Sequence, residues 1–280
     1  MVNKVLKKTV LTSLLFFQFV SVYAANTASW EESAKNFAEE IQRSLPFTAL
    51  TTLAWSDSYI GQLVSRKPHF GAGLAYGMST AEFSTARALL GGVKGYLNTD
   101  GVFMPPVYVQ ARIGGFFVPF DIGIVASIPM YARPADDVTS EQQTFGGDIR
   151  FALVRDGTKL PGVSLGIAYI QTEGRLSAKD MDLRWNGSAI EIKAQISKMF
   201  KTFTPYFGVG GSYTWSQASY ETEGGTKKWG MEPDNFANGM LFRVFTGTSI
   251  KLWALRLDLS MHLSIPDATY GVISGLRFQL

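Results

Sequence analysis

From about residue 69 to the C-terminus, apolar side chains return at every second position. In Phe120–Met130, for example, Phe120, Ile122, Ile124, Ala126 and Ile128 alternate with Asp121, Gly123, Val125 and Ser127. A period of two places alternate side chains on opposite faces of a strand. The same alternation predicts strands over His69–Met78, Val107–Phe116, Asp148–Val154, Val163–Thr172 and Ile190–Ser197. It continues through Tyr206–Ser216, Met240–Leu252, Leu255–Leu263 and Tyr270–Leu280, ten strands in all. Each is about the length a tilted strand needs to cross a bilayer. The connections alternate in length. Long ones fall near residues 80–105, 131–144, 175–184 and 221–236, with a shorter fifth at 265–268. Tight ones fall at residues 117–119, 156–161 and 199–203, and at Trp253. Loops on one side and turns on the other are the rhythm of an up-and-down barrel.

Ahead of the strands the period changes. In Trp30–Leu45, the residues Trp30, Ala34, Phe37, Ile41 and Leu45 form one stripe of a helix, with Glu, Lys, Asn and Arg elsewhere. Ser29 is a candidate N-cap, and Pro46 ends the run. Residues 51–67 admit two readings. Leu53, Trp55 and Tyr59 fit a further strand, and a second one hidden in 81–104 would then make twelve. The alternative, favoured by the parity of loops and turns, joins 25–66 into one N-terminal segment that occupies the lumen or the periplasmic mouth. The inward glycines leave room for it; the plainer reading of the helix is a periplasmic appendage with no role in gating.

Alternation alone fits a soluble barrel as well as a membrane one. Three features favour the membrane. The apolar faces carry no charge, and several are aromatic near their ends, as a lipid-facing band with interfacial girdles would be. The opposite faces combine Gly and Ser with Arg112, Asp121, Asp148, Arg150, Glu191, Lys193, Arg243, Lys251, Arg256, Asp258 and Arg277, which suits a narrow lumen. The chain also ends inside a strand, where Gly275, Phe278 and Leu280 match the C-terminal insertion signal of bacterial outer-membrane proteins. Ile273 stands where that signal is usually polar, and Leu replaces the commoner terminal Phe. The expected fold is all-β: a closed antiparallel up-and-down transmembrane β-barrel of about ten strands over 67–280, with a short N-terminal amphipathic helix. Closure is required because hydrocarbon offers no partner to the backbone groups of an open edge.

Composition sharpens the compartment. Residues 1–24 read as a signal peptide: Lys4, Lys7 and Lys8 precede an apolar core from Thr9 to Val20, and Val22-Tyr23-Ala24 supplies a cleavage site. The apolar core is shorter than a membrane span requires. The chain carries 26 basic and 23 acidic residues, and removing those three lysines leaves 23 of each sign. This excludes a generally basic nucleic-acid binder. There is no cysteine, hence neither a disulfide framework nor a lipid-attachment cysteine.

Two stretches, LAWSDSYIGQLVSRKPHFGAGLAY (Leu53–Tyr76) and ARIGGFFVPFDIGIVASIPM (Ala111–Met130), resemble a family of uncharacterised outer-membrane barrel proteins of spirochaetes such as treponemes. The resemblance covers most of the chain from about Leu45. It implies fold and location and carries over no substrate or catalytic residue.

Candidate chemistry is sparse. Asp258 and His262 lie four apart and share the inward face of one strand. Some ten-stranded surface proteases use Asp and His near the rim, but no second acidic pair accompanies these two. A lumen ion pair of Asp258 with Arg256 or another neighbour explains them more simply, and no catalytic residue is assigned. His69, beside Pro68, reads as a boundary residue. Neither metal-ligand spacing nor a cofactor fingerprint is present. The inward set holds seven basic against four acidic residues. A net positive lumen could favour anions, or the charges could be a salt-bridged filling of a small barrel. The expected role is a narrow passive channel or uptake protein for small or hydrophobic solutes. The competing role is a structural or adhesin-like surface protein acting through its loops. Expected partners are outer-membrane lipid, the barrel-assembly machinery during insertion and a small solute.

Overall fold

The computed structural model describes residues 30–64, 69–80, 85, 107–128, 130–135, 138–157, 159–178, 181–222, 227–228 and 236–280. The leader expected at 1–24, and all but one residue of the stretch 81–104, lie outside them. Among the described residues, ten strands form one closed antiparallel wall. They are β1 Phe70–Ser79, β2 Tyr108–Gly114, β3 Phe120–Ser127, β4 Val138–Val154, β5 Gly162–Ala178, β6 Met181–Ser197, β7 Phe203–Thr222, β8 Phe236–Leu252, β9 Leu255–Ile265 and β10 Tyr270–Gln279. Each strand pairs with the next, and β1 pairs with β10 from Gly71↔Gln279 to Ser79↔Gly271. Closure gives every wall strand a partner on both sides. Two short strands, Met130–Ala135 and Lys227–Lys228, add to the edges of β4 and β7 on the loop side.

The twelve-strand alternative fails on this ring. β1 is flanked directly by β10 and β2, so no strand drawn from 51–67 fits between them. Residues 51–60 lie inside instead. Helix α1 (Trp30–Ser44) leads through a 3-10 turn (Leu45–Phe47) into the short helix α2 (Ala49–Thr52) and then into irregular backbone.

The outer face is greasy. Ile124, Ile192 and Met240 are 62%, 64% and 66% exposed, and Leu74, Ile167, Phe207, Leu257 and Leu276 stand outward with them. Aromatic rings bound the band. Phe70, Phe117, Phe151, Phe203, Trp253 and Phe278 mark the turn side, and Phe145, Tyr169, Tyr213 and Tyr270 the loop side. From Phe203 to Tyr213 along β7 is about the 9–11 residues that cross a hydrocarbon core. Such a contiguous apolar surface has no stable place in water, and the barrel is a membrane-spanning one.

Strands β4 to β8 run to 17 or, for β7, 20 residues, well past the band on the loop side. The loops expected at 131–144 and 175–184 are therefore largely strand. The physical reason lies in the polarity, which reverses there. Glu173, Arg175 and Arg184 face out into water, while Leu176, Leu183, Trp185, Ala218 and Tyr220 face in. An outer face that no longer looks greasy hides a strand from a search for a lipid-facing period.

The inward apolar residues have a purpose. Ala34, Phe37, Ala38 and Ile41 of α1 pack against Leu176, Leu183, Trp185, Ala218, Tyr220 and Ala237. Phe37 meets Trp185 edge to face at 5.5 Å between ring centroids. Deeper down, Leu45, Ala49, Leu50 and Leu53 meet Ala75, Tyr108, Val125, Ile170, Ala189 and Ile273. Ile273, the odd residue of the C-terminal signal, thus points inward onto the segment rather than into water.

Candidate functional site

The lumen and the segment that fills it form the candidate site. The segment descends from the loop side to the turn side in register with the wall. Ser216 donates to the carbonyl of Ala38, and Gln42 donates to Thr214 Oγ1. The backbone NH of Ser58 donates to Ser197 Oγ at 2.9 Å, and that of Leu63 to the carbonyl of Gly115 at 2.9 Å. On the loop side, Glu40 Oε1 accepts from the backbone NH and the hydroxyl of Thr85, both at 2.8 Å, tying the β1–β2 connection to the helix.

The wall is cut to this segment. A Cβ on Gly271 would stand 2.6 Å from Phe47 Cδ1, and one on Gly71 2.8 Å from Trp55 Cη2. A Cβ on Gly114 would run into the carbonyl oxygen of Gly61. A side chain at these wall positions would collide with the segment, so glycine is needed there for close approach rather than for backbone freedom.

Three charged clusters line the turn half. In the first, Arg112 Nη1 reaches Asp121 at 2.5 Å and its Nη2 reaches Asp148 at 2.5 Å. Arg150 grips Asp121 through Nε at 2.8 Å, and Lys193 holds Asp148 at 2.8 Å. The four strands β2, β3, β4 and β6 deliver these groups to one height because the register sets Asp121 opposite Arg150 and Gly123 between Arg112 and Asp148. In the second, Glu191 accepts two bonds from Arg243, at 2.6 and 3.0 Å. In the third, Arg277 approaches Asp258 at 3.3 Å.

The segment completes the first and third clusters. Asp57 accepts from Arg256 at 3.0 Å and from Arg277 at 3.2 Å. Its carbonyl accepts from Arg150 at 2.7 Å, and the carbonyl of Leu53 from Arg112 at 3.1 Å and Lys193 at 3.3 Å. Gln195 donates to the carbonyl of Trp55 at 2.6 Å. The Trp55 indole lies between two guanidinium groups, Arg277 at 4.4 Å and Arg112 at 5.3 Å from a ring centroid, and donates to Gln110 at 2.6 Å. Cations over an indole face are attracted by its quadrupole.

Ten of the eleven inward charges expected from the sequence meet in these clusters or at their edge. Lys251 does not: it shares their parity but stands exposed at the turn-side rim, where β8 ends at Leu252 beside it. Asp57 was not among them, although an inward excess of basic residues calls for an acid from elsewhere. Gly275 faces inward opposite Asp258, while Phe278 and Leu280 are on the outer face, 41% and 48% exposed.

Asp258 and His262 serve different clusters. His262 Nδ1 lies 2.9 Å from Arg243 Nη1, and its Nε2 2.8 Å from Ser260 Oγ. A guanidinium only donates, so Nδ1 accepts and the proton of the neutral ring sits on Nε2. Ser260 therefore accepts from His262, the reverse of what an activated serine needs. Among the described residues, no three His, Asp or Glu side chains converge as a metal site requires.

The sequence matches no family model and no curated protein. The fold is similar to solved outer-membrane barrels. The outer membrane protease OmpT of Escherichia coli is 10% identical with a TM-score of 0.44, covering 76% of this chain and 97% of that one. The translocator domain of the autotransporter NalP of Neisseria meningitidis is 6% identical with a TM-score of 0.41, covering 86% and 94%. Ail, the attachment invasion locus protein of Yersinia pestis, is 9% identical with a TM-score of 0.33, covering 76% and 97%. At such identities the likeness is one of fold alone.

Proposed function

We propose that the chain is an outer-membrane protein that forms a narrow passive channel, closed at rest by its own segment 30–64. One observation carries this reading. The segment occupies the space that the wall leaves open, because the inward positions facing it are small: Gly71, Gly187, Gly271, Ala189, Ala218 and Ser216. A barrel meant only as a filled cylinder would carry bulky side chains there. The segment is held by packing and polar contacts that can exchange with water, and it joins the wall covalently only where it runs on into β1. The turn half of the lumen is charged, so the solutes it suits are small and polar rather than hydrophobic. The greasy outer band supports an outer-membrane location, as do the signal-like leader, the outward Phe278 and Leu280 that would meet the assembly machinery, and the resemblance to spirochaete barrels.

The test is conductance in planar bilayers of the chain lacking residues 25–66, with heat-modifiable gel migration as proof that the barrel formed. The reading expects steady conductance that the full chain lacks. A folded deletion variant that stays at baseline would refute it. A second reading, an adhesin-like surface protein, is favoured by the rigid extension of β4 to β8, whose outer face carries the Arg175–Asp182–Arg184 network at 2.7 and 2.9 Å. Matrix binding lost when Arg175 and Arg184 are replaced by Ser would support it.

A further inference from the structure

The charge of the wall leads further. Its buried inward groups are six basic, Arg112, Arg150, Lys193, Arg243, Arg256 and Arg277, against the acids Asp121, Asp148, Glu191 and Asp258. Glu191 and Arg243 satisfy each other. Arg112, Arg150 and Lys193 share only Asp121 and Asp148, and the surplus positive charge is met by carbonyls of Leu53 and Asp57. Arg256 and Arg277 share only Asp258 within the wall, and they close on the Asp57 carboxylate. Every surplus cation of the wall is thus answered by an oxygen of the segment. Asp57 is itself an anion seated between two guanidinium groups, and this shows what the pair is built to hold.

We propose that Arg256 and Arg277, with Arg112, Arg150 and Lys193 beside them, form an anion-binding and anion-selecting band of the lumen that Asp57 occupies in the closed state. Its ligands are small anions carrying a carboxylate or a comparable oxyanion, which a guanidinium binds through paired N–H donors. When the segment moves, the vacated band presents net positive charge to a bore the width of a polypeptide chain. A positive ring in so narrow a pore excludes cations. The selectivity rests on the channel reading above, whereas the binding site does not.

The experiment uses the full chain with Asp57→Ala, which empties the seat and loosens the segment. In planar bilayers under a KCl gradient, the expected anion-to-cation permeability ratio is about 3 or more, and Arg256→Gln with Arg277→Gln brings it towards unity. Open channels with no anion preference would overturn the proposal. In parallel, tryptic cleavage after Arg43 is followed in the same variant with formate or with neutral formamide. Formate at about 10–100 mM, the affinity expected of a single paired contact, should restore the slow cleavage expected of the parent chain, and formamide should not. If the variant never conducts, the deletion of residues 25–66 judges the channel reading and the formate arm alone judges the site: protection by formate upholds it, and equal cleavage with both additives overturns it.

Discussion

Replacing Trp55 by Ala should unseat the segment while leaving the barrel intact. The indole is 2% exposed, is flanked by Arg277 and Arg112, and donates to Gln110. Truncating a buried aromatic to Ala costs about 3–5 kcal/mol. Trp55 belongs to the segment and no ladder bond of the wall involves it, so the loss falls on the seated state. Each 1.36 kcal/mol is about tenfold in an equilibrium. The ratio of seated to unseated molecules should fall by about two to nearly four powers of ten. The assay is the rate of tryptic cleavage after Arg43 in detergent, read beside the open fraction in planar bilayers. Ile124→Ala serves as the control, since Ile124 is 62% exposed on the outer face. Cleavage should rise by at least about a hundredfold in the Trp55 variant and stay level in the control, because cleavage of a transiently opened state tracks its population. Equal rates in the parent and the Trp55 variant would refute the idea that this indole holds the segment in place.

Other outcomes follow from the same geometry. Gly114→Val should displace the lower segment, because its Cβ alone would strike the carbonyl of Gly61; faster hydrogen exchange at Leu63, whose NH bonds to Gly115, would report it. Ile192→Lys, at a position 64% exposed on the outer face, should lower unfolding stability in lipid by about 2–4 kcal/mol if it sits at the bilayer centre. The same substitution would cost almost nothing if that face met water. Because α1 lies at the loop end and the chain descends from it, an epitope placed directly ahead of Trp30 should bind antibody on intact cells. Binding only after permeabilisation would reverse the assigned direction of the segment.

The wall was legible in the sequence wherever lipid imposes a single apolar face. Phe120–Ser127 and Leu255–Ile265 follow a strict period of two, and their ends fall near those expected. It was illegible where the outer face leaves lipid, as in Arg175–Ala178 and Met181–Asn186, because water outside and α1 inside reverse the pattern. The stripe of α1 was readable, but its partner surface was not, since Leu183, Trp185 and Tyr220 come from strands whose upper halves read as loop. The inward charges were found by parity alone. Which of them pair depends on register between strands far apart in sequence, as with Arg112 and Asp148, and no local pattern encodes that. Asp57 escaped because an acid flanked by serines looks like any turn; only the unbalanced wall pointed to it.

A single disulfide tests the central claim that the chain's own N-terminal segment lies inside the barrel. Ser56 Oγ and Ser249 Oγ are 2.7 Å apart, one on the segment and one on the wall, and the chain has no cysteine to confuse the result. With Ser56→Cys and Ser249→Cys combined, mild oxidation of the membrane-embedded protein should join the two positions. The bond should also suppress the opening caused by Trp55→Ala until a reductant is added. Two thiols that stay free and both react with alkylating reagent in the folded barrel would contradict it.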